Sequence, residues 1–233
     1  MRVAILQSNY VPWRGYFDLM DDVDLFIYLD DTQYTRRDWR NRNKIKTNTG
    51  STWITVPVND KYGSVLVEDT PIDYERDWAS RHINLLEQWY REAPFFADNI
   101  EAFQDHISVR YDSISSLNEA LNNWIIKLLG ISTQICFSRE FGKQGAKDDR
   151  LLDILAKVGA THYLSGPAAK SYIQESKFRE AGITLEYKTY DYGEYPQMYS
   201  PFEPAVSVLD LLFNCGPDSR RYLKSLSPNE AAW

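Results

Sequence analysis

Short apolar runs and longer stretches of helical period take turns along this chain. Residues 3–6 (Val-Ala-Ile-Leu) and 24–29 (Asp-Leu-Phe-Ile-Tyr-Leu) read as buried strands, with a short helix at 15–22 between them. A helix carried between two apolar strands favours parallel pairing. Residues 53–58 alternate apolar and polar as a third strand, followed by a turn at 59–63. From about 74 to 129 the apolar positions recur at helical spacing: Trp78, Ile83, Leu86 and Trp89-Tyr90, a break at Pro94, then an amphipathic 117–129. The α/β rhythm returns with strands at 131–138, 161–164 and 184–187, and helices at 148–158, from 168, and at 207–213. Gly159 supplies a helix stop; Ser207 is a candidate helix cap, with Gly216-Pro217 beyond the last helix. The pattern predicts an α/β fold, a mostly parallel Rossmann-like sheet with helices on both faces. Residues 1–233 would form one domain, with a helical insertion or lobe at about 74–130. Ligands of such a sheet bind outside the carboxyl ends of its strands.

Charge narrows the partners. The net charge of -7 argues against general affinity for nucleic acid, which needs a broad excess of Lys and Arg. The N-terminal apolar run is cut short by Gln7-Ser8-Asn9, too early for a signal-peptide core, and no segment is long enough to span a bilayer. Cys136 and Cys215 sit in apolar surroundings without CxxC spacing and read as reduced and buried, which places the protein in the cytoplasm.

Two polar constellations follow the first two strands and should therefore share one sheet edge. The first runs from Gln7 through Tyr10, Trp13 and Gly15 to Tyr16. A loop entering a helix exposes backbone N–H groups that suit a phosphate or carboxylate, and Gly15 allows close backbone approach. The bland reading is a connector whose Trp13 and Tyr16 belong to the core. The second runs from Asp30 and Asp31 through Gln33 to Lys46, with six cations (Arg36, Arg37, Arg40, Arg42, Lys44, Lys46) against one acid, Asp38, in its basic part. Arg offers a planar fork to phosphate or carboxylate, and in an otherwise acidic chain this run points to an anionic ligand; a solvated charged loop is the alternative. Asp30 and Asp31 could hold Mg²⁺ beside phosphates or pair with the cations. Weaker candidates are Ser165 and Gly166 at a strand end, Gln197, and Asn214 near the end of the last helix. Asp210 on that helix is either the buried partner of a cation or a catalytic acid. His82, His106 and His162 lack metal-ligand spacing, and neither GxGxxG nor a P-loop is present.

These pieces resemble the WbqC-like family of bacterial proteins over essentially the whole chain. The carrying residues are 7–16 (Gln-Ser-Asn-Tyr-Val-Pro-Trp-Arg-Gly-Tyr), 29–34 (Leu-Asp-Asp-Thr-Gln-Tyr), 37–44 (Arg-Asp-Trp-Arg-Asn-Arg-Asn-Lys), 163–166 (Tyr-Leu-Ser-Gly) and 207–216. The family occurs among genes for O-antigen and other surface polysaccharides. The resemblance implies a transferase or ligase that attaches an amino acid such as glycine, or another acyl group, to a nucleotide-linked aminosugar. Under that implication Arg37, Arg40, Arg42 and Lys44 hold phosphates, Gln7, Tyr10 and Tyr16 orient substrate, and Asp30 or Asp31 holds Mg²⁺ or acts as base. Tyr16, Asp30 and Asp31 are then the catalytic candidates. ATP and Mg²⁺ are candidate cofactors, and a phosphate-bearing sugar nucleotide is the expected partner.

The opening strand, turn and helix also look like those of nucleotidyltransferase-type folds, which carry His-x-Gly-His at this turn. Here Trp13 and Tyr16 stand at the histidine positions, so the usual phosphate donors are missing. A nucleotidyltransferase and a non-catalytic sugar-nucleotide-binding module are the alternative readings. The sequence leaves the sugar, the acyl donor and the oligomeric state open.

Overall fold

A computed structural model describes residues 1–60 and 65–233. The expected turn at 59–63 therefore lies partly outside the described residues, from Lys61 on. Strands β1 (Arg2–Leu6), β2 (Leu25–Tyr28), β5 (Gln134–Phe137), β6 (His162–Ser165), β7 (Thr184–Tyr187) and β8 (Glu230–Ala231) form one sheet in the order β5-β2-β1-β6-β7-β8. The first five are parallel to one another and only β8, at the edge, is antiparallel. A hairpin of β3 (Arg42–Thr47) and β4 (Gly50–Thr55) stands apart from this sheet.

The period of two in β1 sorts the two cores. Val3 and Ile5 join Leu25, Ile27 and Leu185 beneath helices α5 (Asp148–Lys157) and α6 (Glu175–Glu180). Ala4 faces the opposite way with Phe26 and Leu164, under α1 (Arg14–Asp21), α4 (Ile114–Leu129) and α7 (Val208–Cys215). Helices thus cover both faces, as the near-continuous apolar strands require. The segment expected as a helical lobe holds α2 (Trp78–Tyr90), α3 (Phe96–Ser108) and α4, and buries Leu86, Phe103 and Leu121 in the same cluster as Ala4. Ser113 caps α4 by accepting from Ser116 N at 3.2 Å, and Gly130 ends it at φ 61, in the left-handed region. No helix among the described residues is long and apolar enough to cross a membrane.

The fold departs from the sequence pattern where polar residues disguise a strand. Residues 42–47, expected as part of a basic loop, form β3 because Asn43 and Ile45 turn inward while Arg42 and Lys44 turn out. The strand expected at 53–58 begins earlier, at Gly50. The helix expected from residue 168 is a 3₁₀ turn, Pro167–Ser171, and α6 and β8 had no counterpart in the pattern. Cys136 is only half-buried, and both cysteines are free.

Pairing between β1 and β6 is confined to Arg2↔His162 and Val3↔Tyr163, whereas β1 and β2 pair over four residues. The two strands therefore part toward their carboxyl ends. That is the point where the strand order reverses, with β2 on one side of β1 and β6 on the other.

Candidate functional site

The loops after β1 and β2 meet. Tyr10 N donates to Trp39 O at 3.0 Å, and Asn43 Nδ2 donates to the Tyr10 and Val11 carbonyls at 3.2 and 2.9 Å. The Arg40 guanidinium joins the two loops by donating to Asn9 Oδ1 and Gln7 Oε1, and Gln7 Nε2 donates to Thr32 at 2.7 Å. Asp38 lies 3.5 Å from Arg40. Partial burial pushes the Asp38 carboxyl up, but Arg40, the Thr35 hydroxyl and the Trp39 N–H outweigh it and hold the group below its ordinary value. Arg40 Nε is buried without a hydrogen-bond partner among the described residues. Helix α4 props this junction from beneath, where Asn118 Nδ2 donates to Ser8 Oγ at 3.1 Å and Arg40 O at 2.9 Å.

At the junction opens a cleft of about 300 Å³ lined by Asn9, Pro12, Trp13, Trp39, Asn43 and Ala205. Trp13 is fixed edge-on against Tyr190, ring centroids 4.8 Å apart, and lies across Gly15, where an added Cβ would come within 2.4 Å of its indole. Gly15 is thus needed for close approach, as expected, though of the indole over the helix start. Trp39 is 43% exposed and leads to Trp53 on β4, ring centroids 5.5 Å apart. Arg42 and Lys44 lie over the Trp53 ring at 4.1 and 5.4 Å.

Several expected site residues stand elsewhere. Tyr16 is buried against Phe26 and donates to Gln7 O at 3.0 Å, so it shapes the loop from below, and burial raises its hydroxyl well above the ordinary value. Arg37 is exposed at φ 59, and its carbonyl accepts from Arg42. Gln33 is exposed in an isolated bridge to Leu66. Ser165 and Gly166 end β6 on the expected sheet edge but do not line the cleft. Gln197 and Asn214 bond to Asp210 (Nε2 to Oδ1 and Nδ2 to O, 2.8 and 2.7 Å), which also accepts from Tyr90 and Tyr195 at 2.8 and 2.6 Å. Burial raises the Asp210 carboxyl against these donors.

Asp30 and Asp31 are buried and occupied. Asp30 accepts from Ser8 N at 2.8 Å and Ser115 Oγ at 2.5 Å; Asp31 accepts from Ser138 Oγ at 2.5 Å and Arg150 Nη2 at 2.8 Å. All four carboxylate oxygens thus bond to the protein, and no group of three or more His, Cys, Asp or Glu among the described residues could hold a metal. The pair does not fit a magnesium site, which needs carboxylate edges open to the ion and its waters.

Tyr10 is fully buried, its hydroxyl 2.9 Å from His82 Nδ1, while His82 Nε2 lies 3.2 Å from Thr55 O. Burial outweighs the Thr55 bond and pushes His82 down to about 4. A folded-state value below the unfolded one makes this stability complete above about pH 6.5 and lost as pH falls toward 4. Urea unfolding should show a loss of about 2 kcal/mol between pH 7 and pH 5. His82→Gln should remove most of that slope, and an unchanged slope would assign it to other groups.

Trp39 and Asn43 are readable from the sequence as polar and aromatic residues interleaved with the cations of the second loop, and Asn9 lies within the first; nothing in the sequence pointed to Ala205. Asn118 and Asn122, the latter with its Nδ2 3.5 Å from Asn9 O, carried a readable signal, since amides four residues apart flank the apolar stripe of Leu117, Leu121 and Ile125. Nothing local marked Arg150 as the partner of Asp31.

No solved structure matches the chain. The chain is 44% identical over 231 residues to the uncharacterized protein Rv1507c of Mycobacterium tuberculosis, a match covering 96% of this chain and 97% of that protein. The model of the WbqC-like protein family matches residues 7–222, a span holding both loops, the cleft and the Asp210 cluster; the chain belongs to that family.

Proposed function

We propose that this protein is a transferase that acylates the amino group of a nucleotide-linked aminosugar, with the sugar ring in the cleft between Trp13 and Trp39. The observation that carries the reading is the pairing of two indoles with two amides, Asn9 and Asn43, around about 300 Å³. That volume is at the small end of ligand sites, roughly 300–1,000 Å³, and suits one pyranose ring. Indole faces cover the apolar face of a sugar while amides meet its hydroxyls. Arg40, next to Trp39 and bonded to Asn9, puts a guanidinium charge behind the cleft wall, where it attracts an anionic group.

The reaction rests on the family likeness. The neutral amine of the sugar attacks the carbonyl of an acyl donor such as an aminoacyl adenylate made from ATP. A C–N bond forms as the acyl–oxygen bond breaks, AMP leaves, and the amine proton passes to solvent. Asp30 and Asp31 have no part in this reading beyond bracing the loops. That bracing favours a second reading, a binding module without turnover, because both carboxylates are bonded away from the cleft.

A thermal-shift panel of UDP, dTDP and their aminosugars, followed by mass spectrometry with ATP, glycine and Mg²⁺, tests both. The expected result is stabilisation by an aminosugar nucleotide and an acylated product. Stabilisation without product favours the module. No shift from any member overturns the sugar-nucleotide reading.

A further inference from the structure

The cleft is too small for the ligand it is proposed to hold. About 300 Å³ accommodates a sugar ring, so a nucleoside and two phosphates must lie outside it. Trp39 forms one wall of the cleft and reaches Trp53, so the surface adjoining it there is the outer face of the β3–β4 hairpin.

We propose that this face is a nucleoside diphosphate subsite, with the base stacked on Trp53 and the phosphates held by Arg42 and Lys44. It rests on the reading of the cleft as a sugar site. In the β3–β4 ladder Lys44 stands directly opposite Trp53, and the alternation that turns Asn43, Ile45 and Ile54 inward turns Arg42, Lys44 and Trp53 outward. Trp53 is 39% exposed, although an indole gains by burial, and among the described residues Trp39, Arg42 and Lys44 lie against its ring. Arg42 lies 4.1 Å from the ring centroid and Lys44 5.4 Å, so two cations for phosphate stand beside a stacking surface. Every base has a π face, and stacking on an aromatic side chain tolerates any of them. The nearby acid, Asp38, is engaged by Thr35, Trp39 N and Arg40 and leaves the cations to a ligand.

A second copy of this chain is a poor occupant of the same face. Across a two-fold axis the patch would meet itself, cation against cation. An anionic ligand has the complementary charge.

Titration calorimetry with UDP, UDP-glucosamine and glucosamine 1-phosphate tests the assignment. Trp53→Ala should weaken UDP and UDP-glucosamine roughly five- to 150-fold, the effect of one lost base stack, and leave glucosamine 1-phosphate unchanged. Trp53→Phe should keep most of the affinity, which separates loss of the ring from loss of the hairpin. Failure of UDP to bind, an undiminished affinity in Trp53→Ala, or an equal loss for glucosamine 1-phosphate overturns the subsite. Failure of the cleft reading looks different: Trp13→Ala would leave glucosamine 1-phosphate binding unaffected while UDP still depended on Trp53.

Discussion

Arg150→Ala should lower the stability of this protein by about 3–5 kcal/mol, the cost of breaking a buried ion pair from one side. Arg150 and Asp31 are 5% and 6% exposed, with Nη2 2.8 Å from Oδ2. The same guanidinium donates to Ser138 O at 3.0 Å and to the Gly142 carbonyl, and Asp31 takes its other bond from Ser138 Oγ. The clamp thus fastens the ends of β2 and β5 to α5 across the carboxyl edge of the sheet. Truncating the cation leaves a carboxylate in a dry site and takes a donor from two carbonyls. Asp31→Asn removes one charge while keeping volume, and leaves Arg150 only its longer carboxylate contact, to Asp153 at 3.4 Å. The double variant Asp31→Asn with Arg150→Ala should be less destabilised than the sum of the singles, because the Asp31–Arg150 pair leaves neither charge stranded. Urea denaturation of the four proteins measures this. A loss below about 1 kcal/mol for Arg150→Ala would put the pair in the class of solvated surface bridges and refute the clamp.

The clamp also marks where the sequence stops being legible. The runs 3–6 and 24–29 and the helix at 15–22 between them could be read because burial on both faces leaves few polar positions in β1 and β2. Asp30 and Asp31 could be placed at a strand end for the same reason. Their partners could not, since Ser115 and Arg150 lie 85 and 119 residues further on and no local pattern couples them. In β3 the period of two was present but carried by Arg42, Asn43, Lys44 and Ile45, where an amide takes an inward position and the charged heads of the cations lie over an indole. A scale that scores Asn as polar and Lys as charged sees only a basic run. β8 is two residues long, and its pairing with Tyr187 and Glu186 follows from tertiary position alone. At the site, the identity of the two loops was legible, but not which of their aromatic residues would be exposed. Tyr10 and Tyr16 are drawn under the loop by His82 and Phe26, while Trp13 and Trp39 remain at the cleft.

Arg40→Ala should weaken binding of UDP-glucosamine roughly 10- to 150-fold, the equivalent of about 1.5–3 kcal/mol for hydrogen bonds to a charged group. Two acceptors, Gln7 Oε1 and Asn9 Oδ1, already hold the guanidinium in place, so little ordering remains when a ligand arrives. The guanidinium charge stands directly behind Asn9, which lines the cleft. Arg40→Lys keeps the charge but replaces a rigid fork with a single ammonium, which cannot serve Gln7, Asn9 and the ligand at once. It should therefore recover only part of the affinity. Arg36→Ala is the control for charge alone: its guanidinium is 66% exposed and already bonds to Asp60, and a screened exposed charge should change affinity by no more than about twofold. Calorimetry in 50 and 300 mM salt would compare the three. Equal losses for Arg36→Ala and Arg40→Ala would reduce the basic run to long-range attraction, and full affinity in Arg40→Ala would leave the guanidinium as a brace between two loops with no ligand of its own.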